Sequence, residues 1–88
     1  MKVEFLEQFY KDLDNIDDSK IKLKIADFIE QIESVNILSE LSNVKKLIGY
    51  KFAYRYKLGH YRIGFYYENN IVELARILHR KDIYKQFP

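Results

Sequence analysis

The sequence predicts one small α+β domain, a strand and two helices followed by a basic, aromatic antiparallel sheet and a short C-terminal helical turn. Three observations carry this. Apolar residues recur at helical spacing between residues 5 and 35, and the period changes to two between residues 51 and 67. At 88 residues the chain is too short for two independent cores, so residues 1–88 form a single domain.

Val3 and Phe5, flanked by charges, suggest a first strand. Phe5, Phe9, Leu13 and Ile16 then keep helical spacing and place a first helix over about residues 6–15. The polar break from Asn15 to Ser19 offers cap-forming side chains. Beyond it Ile21, Ile25, Phe28, Ile29, Ile32 and Val35 share one face, with Lys22, Lys24, Asp27, Glu30 and Glu33 at the other positions. An amphipathic helix of roughly 16 residues follows, and the two segments read as a helical hairpin.

Asn36 to Asn43 is less regular, and Val44 to Gly49 leads from it toward a different periodicity. From there Phe52, Tyr54, Tyr56 and Leu58 alternate with Lys51, Ala53, Arg55 and Lys57, which puts aromatics on one face of a strand and positive charge on the other. Gly59-His60 supplies a turn, and Tyr61, Ile63, Phe65 and Tyr67 alternate with Arg62, Gly64 and Tyr66 in a second strand. Asn69-Asn70 turns the chain again, because Asn tolerates the left-handed region. Residues 71–78 are almost continuously apolar, as in a strand buried on both faces, and residues 79–87 form a helical turn or two ending near Pro88.

Charge is unevenly divided. Residues 1–43 hold five lysines against ten acidic residues, a balance of −5; residues 44–88 hold ten Lys and Arg against three acidic residues, a balance of +7. The basic half is available to phosphate or to an acidic protein, with RNA the best candidate, although the two halves can also simply neutralise each other on an ordinary solvated surface. The absence of cysteine excludes disulfides, thiolate zinc sites and a cysteine nucleophile, and fits a reducing cytoplasm. No signal-peptide or membrane-span pattern is seen, so secretion and membrane association are not expected. No His/Asp/Glu grouping has metal-ligand spacing, no Gly-rich loop precedes a helix, and no serine has a nearby histidine. No metal or cofactor is therefore expected.

What remains is phosphoryl transfer by cations and a phenol. Metal-free RNA cleavage requires the 2′-oxygen to lose a proton and attack the adjacent phosphate, cations to meet the growing charge, and the leaving 5′-oxygen to gain a proton. Arg55, Lys57 and Arg62 on paired strands, with Arg80 and Tyr84 after the last strand, can converge on one phosphate. Lys51, His79 and Lys81 are further candidate RNA contacts. Several have a plainer role open to them, Arg62 less so because it sits on an inner strand. Arg55 and Lys57 can keep an exposed sheet face soluble, Tyr84 can cap the core beside Ile83 and Phe87, and His79 can be a packed, hydrogen-bonded residue.

Three segments, taken in order, resemble the RelE/ParE toxin superfamily: Val44-Lys45-Lys46-Leu47-Ile48-Gly49, the run Tyr54 to Phe65 containing Tyr61-Arg62-Ile63-Gly64-Phe65, and His79-Arg80-Lys81-Asp82-Ile83-Tyr84. The resemblance spans essentially the whole chain. It implies two helices packed on a four-stranded, mainly antiparallel sheet, and a type II toxin made beside a cognate antitoxin. RelE-like members cut mRNA on the ribosome, whereas ParE-like members inhibit DNA gyrase; a fold shared by both does not choose between them. By resemblance Arg55 and Lys57 match RelE-like strand positions, Arg62 the phosphate-stabilising Arg, and Arg80 with Tyr84 the terminal pair. This favours a metal-independent endoribonuclease, with gyrase inhibition or an inactive antitoxin-binding module as the alternatives. Ala53 departs from members that place a further Lys there, and the general base stays unassigned.

Overall fold

The computed structural model describes residues 1–88. Strand β1 (Lys2–Phe5) leads into α1 (Glu7–Asp14) and α2 (Ser19–Ser34); a 3-10 turn (Leu38–Glu40) precedes β2 (Val44–Lys46), β3 (Ala53–Leu58), β4 (Tyr61–Glu68), β5 (Ile71–His79) and α3 (Arg80–Gln86). The strand order is β1-β5-β4-β3-β2, antiparallel except for the parallel β1–β5 pair at one edge. The α+β architecture expected from the sequence is present, with one addition. Val44–Lys46 forms a fifth, edge strand that the expectation of four did not include. Three residues are too few to show a period, so pairing with β3 rather than local pattern makes this strand.

Alternation along the strands divides the sheet into two unlike faces. Tyr54, Tyr56, Ile63, Phe65, Val72, Leu74 and Ile77 turn toward α1 and α2 and meet Phe9, Ile25, Phe28 and Ile32 in the main core. Aromatic stacking tightens this layer, with ring centroids 3.7 Å apart for Phe28–Tyr56 and 5.5 Å for Tyr54–Phe65. Tyr54 and Tyr56 thus face the core on the side of the sheet away from Arg55 and Lys57, as the alternation predicts. Asp18 caps α2, its side chain accepting from the Lys20 N–H at 2.9 Å.

The other face carries small residues at its centre. Ala53, Gly64 and Ala75 leave a depression into which α3 and the residues after it lay Ile83 and Phe87, each nearly or wholly buried. A Cβ on residue 64 would stand 2.5 Å from the Phe87 ring, so glycine is the residue that admits this contact. The β4–β5 register shifts at the same place: Gly64 faces Arg76 and Phe65 faces Leu74, leaving Ala75 as the extra residue of a bulge. Burial of Ile83 and Phe87 contributes about 1.5–3 kcal/mol each and anchors α3 across the sheet.

A second anchor ties α1 to the sheet where β1 stops. Asp12, buried, accepts from Arg76 Nε at 2.7 Å, Arg76 Nη2 at 3.0 Å and the Ile77 backbone N–H at 3.1 Å. Its carboxylate therefore replaces the strand partner that the β5 edge lacks there. Arg76 Nη1 also donates to Gln86 Oε1 at 3.3 Å, which links α1, β5 and α3. No helix is long and apolar enough to cross a membrane.

Candidate nucleic-acid interface

The depression holding Ile83 and Phe87 covers only part of the second face. Beyond it Arg55 and Lys57 on β3 and Arg62 on β4 point out on the side opposite the core tyrosines, Lys57 and Arg62 being direct cross-strand partners. Lys45 on β2 pairs with Arg55. Together with Asn43, Val44 and Tyr84 these cations line one open groove of about 380 Å³. Like charges set side by side on neighbouring strands cost stability unless something neutralises them. Nothing in the chain does: its two salt bridges are Lys11–Glu7 and Arg76–Asp12, and no carboxylate lines the groove.

Tyr84 closes the groove from α3. Its ring lies against the Arg55 guanidinium, 4.6 Å from ring centroid to Cζ, yet the residue remains 61% exposed. Arg62 is held from behind, Nη1 donating to the carbonyls of Gly59 and Tyr61 at 2.8 Å each. Those bonds engage a single nitrogen. The rest of the guanidinium keeps its donors for a ligand.

Of the residues singled out in the sequence, Arg55, Lys57, Arg62 and Tyr84 thus come together. Arg80, Lys51, Lys81 and His79 do not line this groove. Arg80 opens α3, its backbone N–H donating to the His60 carbonyl at 2.8 Å; the i, i+4 spacing sets it on the same helix face as Tyr84. Lys51 sits over the Phe52 ring in the β2–β3 loop. His79 caps α3, Nδ1 accepting from the Lys81 N–H at 3.2 Å while its ring packs edge-on against Tyr61. Lys45 and Asn43 belong to the groove and were not singled out, because their place depends on β2, the strand with no visible period.

The family model for the ParE toxin of type II toxin–antitoxin systems matches residues 3–84. The chain belongs to the RelE/ParE toxin family. It is 39% identical over 89 residues to toxin RelE3 of Methanocaldococcus jannaschii, all of both chains being covered. Among solved structures it is similar to the RelB–RelE antitoxin–toxin complex from Methanococcus jannaschii, with 35% identity, a TM-score of 0.83, and 97% of this chain and 99% of that one covered. The intact RelBE toxin–antitoxin complex of E. coli shares the fold at 22% identity, with a TM-score of 0.63 over 86% of this chain and 92% of that one. As a member of this family the chain is a type II toxin, and its full-length likeness is to RelE proteins.

Proposed function

We propose that this toxin is a metal-independent endoribonuclease that cuts mRNA on the ribosome. The observation that carries the reading is the convergence of Lys45, Arg55, Lys57 and Arg62 with Tyr84 in one groove that contains no carboxylate. Four cations without a carboxylate partner suit a substrate that brings negative charge, and they meet it most strongly when charge builds in the transition state. Full-length similarity to RelE proteins points the same way.

In this reading the 2′-oxygen attacks phosphorus as its proton passes to solvent water, no side chain being assigned as the base. The new O–P bond closes a cyclic phosphate while the bond to the 5′-oxygen breaks. Arg62, with Lys57 opposite, stabilises the negative charge on the phosphate oxygens, and Tyr84 gives its proton to the departing 5′-oxygen. Arg55 orients Tyr84 through the ring contact. Arg80, on the same face of α3, adds a cation beside that phenol when its exposed side chain extends toward the substrate. Lys51, Lys81 and His79 are assigned to contacts with the RNA flanking the cut. The groove offers no carboxylate or imidazole to a metal ion, so a chelator should leave the rate unchanged.

The working compartment in this reading is the cytoplasm, and the partner is a cognate antitoxin, as in the RelB–RelE complexes. An antitoxin segment that orders on binding can cover the basic groove with acidic and apolar side chains. The family model's description as a ParE toxin favours gyrase inhibition as the second reading. One experiment separates the two: purified protein added to a translating extract and, in parallel, to a gyrase supercoiling reaction. Codon-positioned mRNA cuts that persist in chelator and vanish in Arg62→Ala support the nuclease. Blocked supercoiling with intact mRNA refutes it.

A further inference from the structure

We infer that the loop between β2 and β3 forms a receptor for one unstacked base of the RNA whose phosphate occupies the cationic groove. The inference rests on the nuclease reading and goes beyond it to a second half of the site. A hollow of about 340 Å³ adjoins the groove and shares Lys45, Arg55 and Tyr84 with it; its remaining lining is Leu47, Ile48, Tyr50, Phe87 and Pro88. The Arg55–Tyr84 pair is thus a partition, with cations on one side and apolar and aromatic surface on the other. A nucleotide has the same division, a charged phosphate joined to a flat base, and aromatic surface beside a basic track is how single strands are bound without a duplex.

The loop is built for display rather than for burial. Ile48 is 93% exposed and Tyr50 51% exposed; only Gly49 separates them in sequence, and both line the hollow. Single exposed apolar residues need no explanation, but these lie together at the rim of the only strongly cationic groove, beside exposed Tyr84. The loop is also fixed in place. Leu47 is buried beneath it and donates its N–H to the Ala53 carbonyl at 2.9 Å; the Tyr50 N–H reaches back to the Leu47 carbonyl at 3.4 Å; and Gly49, at φ +85°, takes the left-handed turn between them. A platform held this way loses little freedom when a base lands on it.

The test uses the full chain, isotope-labelled for amide NMR, and a 2′-O-methyl trinucleotide, which cannot be cut because its nucleophile is blocked. The expected result is that the trinucleotide shifts the amides of Lys57 and Arg62 and also those of Ile48 and Tyr50. Replacing one of its bases by an abasic unit should cancel the loop shifts and keep the groove shifts. Ile48→Ser combined with Tyr50→Ser, shown by its spectrum to be folded, should weaken trinucleotide binding roughly tenfold or more. Groove shifts without loop shifts, or parental affinity in the double variant, overturn the base receptor and leave the nuclease reading standing. So does a double variant that binds the trinucleotide normally but loses the antitoxin, which makes the loop a protein contact. A trinucleotide that shifts neither set overturns the base receptor, whereas the nuclease reading falls only if the translating extract shows no mRNA cuts.

Discussion

The Arg55 guanidinium lies 4.6 Å from the centre of the Tyr84 ring, so an interior strand of the sheet and the C-terminal helix meet directly at the groove. This contact fixes the ring independently of the hydroxyl and allows the two to be separated. Tyr84→Phe keeps the ring and its cation–π contact while removing the proton that the proposed mechanism gives to the 5′-oxygen. Single-turnover cleavage of ribosome-bound mRNA should fall by about a hundredfold or more with unchanged ribosome binding. Tyr84→Ala should lose the ring contact as well. A Phe variant at parental rate, beside an inactive Ala variant, would reassign Tyr84 to stacking.

Arg62 stands across from Lys57 and is braced by two backbone carbonyls at 2.8 Å. Preorganised donors act mainly where charge develops, so Arg62→Ala should reduce turnover by roughly a hundredfold or more and leave ribosome affinity little changed. Arg62→Lys should recover only part of the rate, since an ammonium cannot hold both carbonyls and the phosphate with the same geometry. Measurements of rate and of ribosome co-sedimentation on the same preparations decide this. An Arg62→Ala protein that is folded and fully active sinks the assignment.

The parts of this molecule that could be read from its sequence are those whose signal is local. Helix α2 has a full apolar face and appears at Ser19–Ser34; β3 and β4 appear where large apolar residues recur at every second position in the sequence, and the turn between β4 and β5 has Asn69 and Asn70 both at positive φ. The opposite orientation of Tyr54 and Arg55 follows from a period of two and needs nothing else. What could not be read depends on residues distant in the chain. Lys45 reaches the groove only because β2 pairs with β3, Asp12 is useful only because β5 outruns β1, and Gly64 matters only because Phe87 crosses it. His79 shows the reverse difficulty. A histidine beside Arg80 invites a chemical role, yet here its imidazole satisfies a helix N–H.

Gly64 and Phe87 form a contact that no larger residue at position 64 can share, the ring lying 2.5 Å from where a Cβ would be. Gly64→Ala should push the Phe87 ring off the sheet at a cost of about 1–3 kcal/mol. Phe87 follows α3 directly, so Tyr84 should move with it. Cleavage should therefore fall further than the unfolded fraction accounts for. Urea unfolding together with the rate per folded molecule checks this; an unchanged midpoint and rate would show that the C-terminal segment yields without consequence.

Asp12 should be the most costly charged residue to remove. Its carboxylate serves both Arg76 and the Ile77 N–H from a buried position, so Asp12→Ala leaves a guanidinium and a strand-edge donor unsatisfied. A loss of about 3–5 kcal/mol is expected in urea unfolding. Adding Arg76→Met to Asp12→Ala should recover part of this and not all, because the Ile77 N–H still has no acceptor. Full recovery in the double variant would show that the backbone bond contributes little.

Binding to RNA should be strongly salt-dependent, and the dependence can be assigned to named residues. Lys45, Arg55, Lys57 and Arg62 line the groove and have no carboxylate partner within the chain, so each is available to displace a counterion from a phosphate. For a single strand the logarithm of affinity falls with the logarithm of salt by about 0.7 per phosphate contacted, which gives a slope near −2 to −3 if three or four contacts form. The measurement is titration of a 2′-O-methyl RNA across a range of potassium chloride concentrations. Lys57→Ala should make the slope shallower by about 0.7 and weaken binding to all sequences alike, since a phosphate contact carries no base information. Lys11→Ala, on the far side in a helix pair with Glu7, should leave the slope as it is. A slope near zero in the parental protein, or equal slopes in the parental and Lys57→Ala proteins, would mean that the groove does not hold the RNA backbone.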